Sequence, residues 1–505
     1  MDLKKNLSIT ACCGSLAIVS ACSLMPSGNT VTGLYKKNVV IIEVDDLMYR
    51  FMGRNGRNFV YTPNIDKLAD SGVYFSNAVS QGVMCGPSRN SLICGLYPHN
   101  IGFYRNGQMG PLPDSIWSLP GALSRAGYQT AWIGKCHVHP PVDKSLKREE
   151  AMKTLGFDYS LASWDRFMLA RRIKRGESTK GYIYFDYLKK IGLFEQYVED
   201  CKLNRNSTLP ENAYLDGYFT QNAIEWLKET DTKNQPLFLW LNYSLPHGPH
   251  NVPEKYHKIY ENKDIPSALS KDFGGVQIPN CLLKDNRAVS PERAAKIRKA
   301  YAATCTFLDK LIGQVIEELK EKGIYKDTVI FFFSDHGIFM GNHGRIHKGT
   351  LFNEVTNPSL IISSSTLSRK GEIEKQPVEL LDVVKTILDI AGASNIDKSI
   401  PYGRSLMPLL QKKNQKHFKN YVFSEIEGAQ LCFDGRYRYI KTKEKSLLYD
   451  LKVDPFELND ISLQKKDISS EMDKKIKAWF QQSGKPLPAN FLKNPEHRKN
   501  FKRKY

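Results

Sequence analysis

Short apolar runs rich in β-branched and aromatic residues recur along this chain, and each gives way to a polar cluster. Asn38-Val-Val-Ile-Ile-Glu-Val44 ends in Asp45-Asp46, and Thr130-Ala-Trp-Ile133 ends in Gly134-Lys135-Cys136-His137. Pro236-Leu-Phe-Leu-Trp-Leu-Asn242 leads to Ser244-Leu-Pro-His247-Gly-Pro-His250, and Thr328-Val-Ile-Phe-Phe-Phe333 to Ser334-Asp335-His336-Gly337. Apolar runs of this length predict strands buried on both faces. Helical patterns lie between them. Thr62-Pro63 opens one that stops at Gly72, Trp117 to Ala126 is a second, and Glu211 to Thr230 carries Leu215, Phe219, Ala223 and Trp226 on one side. Ser290-Pro291 caps a long helix with Ile297, Tyr301, Leu308, Val315 and Leu319 at helical spacing, stopped by Gly323. Pro87 and Ser88 are expected to start another.

Strand, polar cluster and helix in repetition predict a doubly wound α/β fold, a large mixed or parallel sheet sandwiched by helices. In such folds ligands bind beyond the carboxyl ends of the strands. Four strand ends loaded with polar residues therefore point to one composite site. Residues 141–205 show no firm pattern and are read as an insertion over that site, and 254–289 are read as mostly loop. From about residue 395 short strand-like pieces such as Tyr421-Val-Phe-Ser and Leu447-Leu-Tyr-Asp450 predict a small C-terminal α+β subdomain with a short antiparallel sheet.

The 505 residues suffice for a large core, and 41% hydrophobic with 25% charged residues is ordinary for a soluble protein. The net charge of +19 suits polyanionic partners or substrates, or else a solvated basic surface. At the N-terminus, Lys4 and Lys5 precede an apolar run, Leu7 to Ala21, too short to span a bilayer as a mature helix. Val19-Ser20-Ala21-Cys22 resembles a bacterial lipobox, which implies cleavage before Cys22, acylation there, and anchoring by lipid alone in the periplasm or at the cell surface. The expected organisation is a signal peptide (1–21), a tether (22–36), a catalytic domain (37–394), a C-terminal subdomain (395–485) and a basic tail (486–505). The ten cysteines show no CxxC spacing, so neither zinc ligation nor a disulfide framework is indicated. No nucleic-acid partner is expected.

Adjacent carboxylates after an apolar strand, as at Asp45-Asp46, are costly unless a cation neutralises them; the alternative is a pair of solvated loop aspartates. A helix opening at Cys85-Gly-Pro-Ser-Arg89 offers unpaired N–H groups to an oxyanion. This stretch, continuing through Asn-Ser-Leu-Ile-Cys94-Gly95, resembles the signature of the formylglycine-dependent sulfatases of the alkaline phosphatase superfamily. Gly-Lys-x-His at 134–137, Pro-His-x-Pro at 246–249, Ser-Asp-His-Gly at 334–337 and Lys-Gly-Thr at 348–350 follow in that family's order. The resemblance runs from about residue 38 to 462.

The resemblance implies that Cys85 is oxidised to formylglycine by a formylglycine-generating enzyme, and that its hydrated aldehyde is the nucleophile. It implies one divalent cation, usually calcium, at Asp45, Asp46, Asp335 and His336, with the modified Cys85 also in contact. An imidazole is a less usual calcium ligand, so magnesium and manganese stay open. Arg89 is expected to stabilise the nucleophile and the metal-site carboxylates, and Lys135 and Lys348 to bind sulfate oxygens. His137 is expected to take a proton from the diol as sulfate leaves, and His247 to protonate the leaving alcohol. His99, Arg105, His250 and His343 lie in neighbouring loops and could read the sugar. Two positions depart from the family pattern: Cys94, where threonine is usual, and Cys136, often tryptophan. The expected reaction is removal of sulfate from a sulfated glycan, exo-acting on glycosaminoglycan or mucin fragments. The rivals are a phosphonate or phosphate diester hydrolase on the same scaffold and an inactive glycan-binding lipoprotein.

Overall fold

The computed structural model describes residues 34–55, 59–106, 112, 116–138, 145–269, 272–284, 287–394, 402–411 and 418–484. The expected signal peptide, Cys22, most of the tether and the basic tail lie outside them. Eight strands form the main sheet: β1 (Asn38–Asp45), β2 (Gly72–Phe75), β4 (Gln129–Lys135), β5 (Tyr159–Ser163), β6 (Leu237–Pro246), β7 (Thr328–Ser334), β8 (Leu360–Ser364) and β9 (Glu372–Glu374). β3 (Ala78–Val79) pairs separately with β10 (Val378–Glu379). The spatial order of the large sheet is β5-β4-β6-β1-β7-β8-β2-β9. The strands from β5 to β7 run parallel, and β8 alone runs against its neighbours.

The four strands whose ends carry the polar clusters, β4, β6, β1 and β7, are consecutive in this order, so their carboxyl ends open on one edge. Val40, Ile42 and Val44 of β1, with Leu239 and Leu241 of β6, enter a core shared with Phe219, Ala223 and Leu227 of helix Leu215–Glu229. Helix Pro291–Glu321 adds Leu308, Leu311, Ile312 and Val315; its cap is Ser290, whose Oγ accepts from the Arg293 N–H at 3.3 Å. Gly134 near the end of β4 has φ +118, and a Cβ there would meet the Asn242 carbonyl oxygen at 1.9 Å. Only glycine lets β4 and β6 close at this level.

Two expectations change. Residues 141–205 are not simply an insertion: Tyr159–Ser163 is an edge strand of the sheet, and helices Arg166–Lys174, Ile183–Lys190 and Phe194–Leu203 follow it. Their aromatic residues, such as Tyr184 and Phe185, are core residues rather than loop residues. The helix expected at Pro87 begins at Cys85, with its first turn formed by Cys85, Gly86 and Pro87.

In the C-terminal part, β11 (Val422–Ile426), β12 (Ala429–Phe433), β13 (Tyr437–Thr442) and β14 (Leu447–Asp450) form an antiparallel sheet in chain order. Helix Lys466–Ser483 covers it through Met472 and Ile476 against Cys432, Tyr439 and Leu448. Among the described residues no helix is long and apolar enough to cross a membrane, and their cysteines are free.

Candidate active site

Helix Cys85–Cys94 is buried along its whole length, packed against helices Leu119–Arg125 and Leu380–Ile390. Its first turn is held from several sides. The Gly86 N–H donates to Asn106 Oδ1 at 2.9 Å, and Ser88 Oγ donates to the Asp335 carbonyl at 2.8 Å. The Asn90 amide donates to the carbonyls of Gly86 and His137. Cys85 is thereby set at the open edge of the sheet.

Around its sulfur the strand ends converge. Cys85 Sγ lies 3.2 Å from Asp45 Oδ1 and 2.9 Å from Lys348 Nζ. Lys348 also donates to Asp46 Oδ1 at 2.6 Å, and Lys135, from the end of β4, donates to Asp45 Oδ2. His336 Nδ1 donates to the Gly337 carbonyl at 2.9 Å, which leaves Nε2 with its lone pair, buried and without a hydrogen-bond partner. Asp45, Asp46, Cys85 and His336 can bring one ligand atom each within 4.8 Å of one another. Asp335 stands just behind, Oδ1 3.6 Å from His336 Nε2, while Oδ2 accepts from Arg89 Nε at 3.1 Å.

Charge explains why this cluster is held together. The buried carboxyls are Glu43, Asp45, Asp46, Asp165 and Asp335; the buried cations are Arg89, Lys135 and Lys348. Burial alone would push Asp45 up, but Lys135, His247 and Lys348 outweigh it and hold the carboxyl well below the usual range. Asp46 is lowered in the same way, chiefly by Lys348 and His247 against burial. Glu43 is the exception, taken by burial to about 7 in spite of Arg89. The cluster is thus short by one to two positive charges near neutrality. Burial and Asp45 push the Cys85 thiol up, so as a plain cysteine it is un-ionised and a poor nucleophile.

The residues fit a hard divalent cation: carboxylate oxygens on adjacent positions, an orphaned imidazole nitrogen oriented by its other ring nitrogen, and a matching charge deficit.

The other expected residues sit at different distances from this centre. His247 donates through Nδ1 to the Gly248 carbonyl at 2.7 Å, and its Nε2 is 3.6 Å from Asp46 Oδ2. His137 stands edge-on to Trp164 and its ring makes no hydrogen bond among the described residues; burial and Lys135 hold it well below its ordinary range. His250 is beside the site, edge-on to Tyr301, and burial, Arg166 and His247 bring it to about 3. Arg105 pairs with Glu427 at 3.1 Å.

The rings of His99 and His343 are engaged within the fold. His99 has both ring nitrogens engaged, Nδ1 2.7 Å from Glu425 Oε1 and Nε2 3.3 Å from the Ser483 carbonyl, with Tyr97 stacked on its ring. It closes the seam between the chain after helix Cys85–Cys94 and the C-terminal part. His343 is buried, stacked on Phe273 at 4.3 Å, and burial brings it to about 4. Both positions lie beside catalytic motifs in sequence, but their rings turn into packing. Cys94 is a buried helix residue, and Cys136 packs against the Met152 sulfur at 3.9 Å.

Three polar residues escaped the sequence reading. Glu43 accepts from Trp240 Nε1 at 2.7 Å and lies 3.5 Å from Arg89 Nη1. Asn242 Oδ1 accepts from Arg89 at 2.8 Å. Asp165 caps helix Arg166–Lys174 and places Oδ2 3.4 Å from Lys135 Nζ. Glu43 was visible as a lone carboxylate in an apolar strand, and Asn242 as the polar end of another. Asp165 had no signal beyond its place in an unpatterned segment.

The fold and site together bring a buried cysteine onto a carboxylate and imidazole cluster of a kind that could hold a cation. The chain belongs to the sulfatase family, whose model matches residues 37–393, and is a sulfuric ester hydrolase. The model for the C-terminal part of N-sulphoglucosamine sulphohydrolase matches residues 341–482. An arylsulfatase of Clostridium perfringens is 28% identical over 456 residues, covering 84% of this chain and 90% of that protein. A phosphonate monoester hydrolase of Agrobacterium radiobacter superimposes with a TM-score of 0.71 at 20% identity, over 88% of this chain and 96% of that one. A protein solved with its substrate D-glucosamine-2-N,6-O-disulfate superimposes with a TM-score of 0.70 at 19% identity, over 90% and 99%.

Proposed function

We propose that this sulfatase removes sulfate from a sulfated saccharide, using formylglycine made from Cys85 and a calcium ion at Asp45, Asp46, Asp335 and His336. The observation that carries the reading is the placement of Cys85 Sγ between Lys348 Nζ and Asp45 Oδ1, in a charged chamber where an unmodified thiol is inert. A hydrated aldehyde at that position supplies a hydroxyl nucleophile and a second hydroxyl for expelling sulfate, and the cation supplies charge against the anionic ester.

The chain's own residues supply the rest. A sulfate monoester repels a nucleophile through its own oxygens, so catalysis needs concentrated positive charge where the bond breaks. Lys135 and Lys348 both point into the centre, and the carboxylates beside them keep them protonated against the effect of burial. Arg89 is braced by Glu43, Asn242 and Asp335 and fixes the carboxylate behind His336. With Nδ1–H committed to Gly248, His247 exchanges protons through Nε2, the atom that faces the centre and can protonate the leaving alcohol. The same reading gives His137, which burial and Lys135 hold neutral, the role of accepting a proton as sulfate departs.

The saccharide reading draws on the C-terminal family match and on the glucosamine disulfate bound by the structural relative. The same reading takes Cys22 as lipidated and puts the enzyme in the periplasm or at the cell surface, which fractionation of a Cys22→Ser variant tests. A second reading, phosphonate or phosphate diester hydrolysis, is favoured by the likeness to the phosphonate monoester hydrolase. Peptide mass spectrometry across Cys85, on protein made with a formylglycine-generating enzyme, comes first. Turnover of 4-nitrophenyl sulfate, bis(4-nitrophenyl) phosphate and sulfated disaccharides then decides. Preference for the diester would overturn the sulfatase reading in favour of the second.

A further inference from the structure

Helix Arg166–Lys174 is fastened to the catalytic centre at its start. Asp165, its cap, touches Lys135, and Arg166 turns inward to donate to the Pro249 carbonyl and Asn251 Oδ1, with its guanidinium 4.5 Å over the Tyr214 ring. Those contacts tie it to the segment that carries His247. Phe167 turns the other way. It is 50% exposed, the one phenylalanine so exposed among the described residues, and its ring centroid is 6.5 Å from that of His247.

A single exposed aromatic ring is ordinary on a protein surface; what sets Phe167 apart is its place beside the ring of His247. Arg171 lies four residues on, exposed, with no ion-pair or hydrogen-bond partner for its side chain among the described residues. Positions four apart share a helix face, with Cβ atoms about 5–6 Å apart. The stripe therefore leads outward from the proton-donating histidine, first aromatic, then cationic.

We propose that Phe167 and Arg171 form the binding surface for the alcohol part of an anionic saccharide, Phe167 stacking on the ring that carries the departing oxygen and Arg171 pairing with an oxyanion on the neighbouring residue. This rests on the saccharide reading above. The choice of occupant follows from His247: on the proposed reading its Nε2 serves the oxygen linking sulfate to sugar, and the Phe167 ring, 6.5 Å from the imidazole, is within reach of that sugar. A pyranose presents an apolar C–H face to an aromatic ring, and the unpaired guanidinium complements a carboxylate or sulfate. Neither residue touches the reacting atoms, so both act on affinity for the saccharide and not on the chemistry at sulfur.

The test uses the full enzyme with Cys85 conversion confirmed by mass spectrometry. Wild type, Phe167→Ala, Phe167→Tyr and Arg171→Gln are assayed on 4-nitrophenyl sulfate and on whichever glycosaminoglycan disaccharide wild type desulfates fastest, with inorganic sulfate as inhibitor. Phe167→Ala should raise KM for the disaccharide about tenfold with kcat within about twofold, and Phe167→Tyr should restore it. Arg171→Gln should raise KM about threefold and flatten its dependence on salt. Inhibition by inorganic sulfate, which needs only the catalytic centre, should be the same in all four proteins. Unchanged disaccharide KM in both Phe167→Ala and Arg171→Gln would overturn the proposal. So would a parallel change in sulfate inhibition, because the residues would then act through the centre. If wild type cleaves 4-nitrophenyl sulfate but no disaccharide, the saccharide reading itself fails, and the proposal falls with it.

Discussion

Replacing Asp165 by asparagine removes one negative charge from beside Lys135 and keeps a side chain that can still cap helix Arg166–Lys174. At 3.4 Å, with an effective dielectric constant near 20, the direct attraction is about 5 kcal/mol. Burial works against the ionised carboxylate and takes back much of this. What remains can be read from the carboxyl itself: against burial, Lys135 above all brings it to about 2 from an ordinary 3.8, worth about 2 kcal/mol. Because the folded value lies below the unfolded one, this stabilisation is present above about pH 4 and is lost as the pH falls towards 2. Asp165→Asn should therefore be about 2 kcal/mol less stable by urea denaturation from pH 7 down to 5, with the gap to wild type narrowing below pH 4. With one of its two carboxylate partners gone, Lys135 should be held less firmly at the centre, and kcat/KM should fall by up to about thirtyfold. A variant as stable and as active as wild type at pH 7 would show that Asp45 alone holds Lys135 and that Asp165 is only a helix cap.

Cys85→Ala should keep its circular dichroism spectrum and lose at least about 10⁴-fold in turnover, measured on the sulfate ester that wild type cleaves best. Chelation of divalent ions should abolish turnover and lower the melting temperature, with calcium restoring both; a cation at about 100 times its Kd contributes about 2.7 kcal/mol. Full activity after exhaustive chelation would remove the cation from the scheme. Gly134→Ala should yield little soluble protein, since φ is +118 and the added Cβ meets the Asn242 oxygen at 1.9 Å, a clash costing more than about 3 kcal/mol. Expression level and thermal melting report it.

The parts of the fold legible in the sequence were those in which a residue's environment is set locally. β1, β4, β6 and β7 are apolar runs because both faces of the sheet are covered, and Asp45, Lys135 and Asp335 are marked by following them. β5 escaped because as an edge strand it buries only part of its length, so Tyr159 and Ser160 look like loop residues. The four proposed sugar-reading residues were chosen by proximity in sequence, which does not say which way a ring turns. His99 and His343 turned into packing, and their partners Glu425 and Phe273 are far off in the chain or in a stretch with no pattern. Glu43 and Asn242 show the converse: their roles depend on Arg89, which only the folded sheet brings to them.

The seam that closes over helix Cys85–Cys94 also keeps time. Tyr97 waits for Glu379, 282 residues later, and His99 waits for Glu425 and Ser483, 326 and 384 residues later. At synthesis rates of about 5–20 residues per second, the last of these arrives roughly 20–80 s after the start of the helix. On the formylglycine reading proposed above, the enzyme that converts Cys85 would have that interval, and would afterwards meet a residue only 1% exposed. Deleting helix Lys466–Ser483 should hold the interval open, so that conversion of Cys85 rises in the truncated chain when the maturation enzyme is scarce.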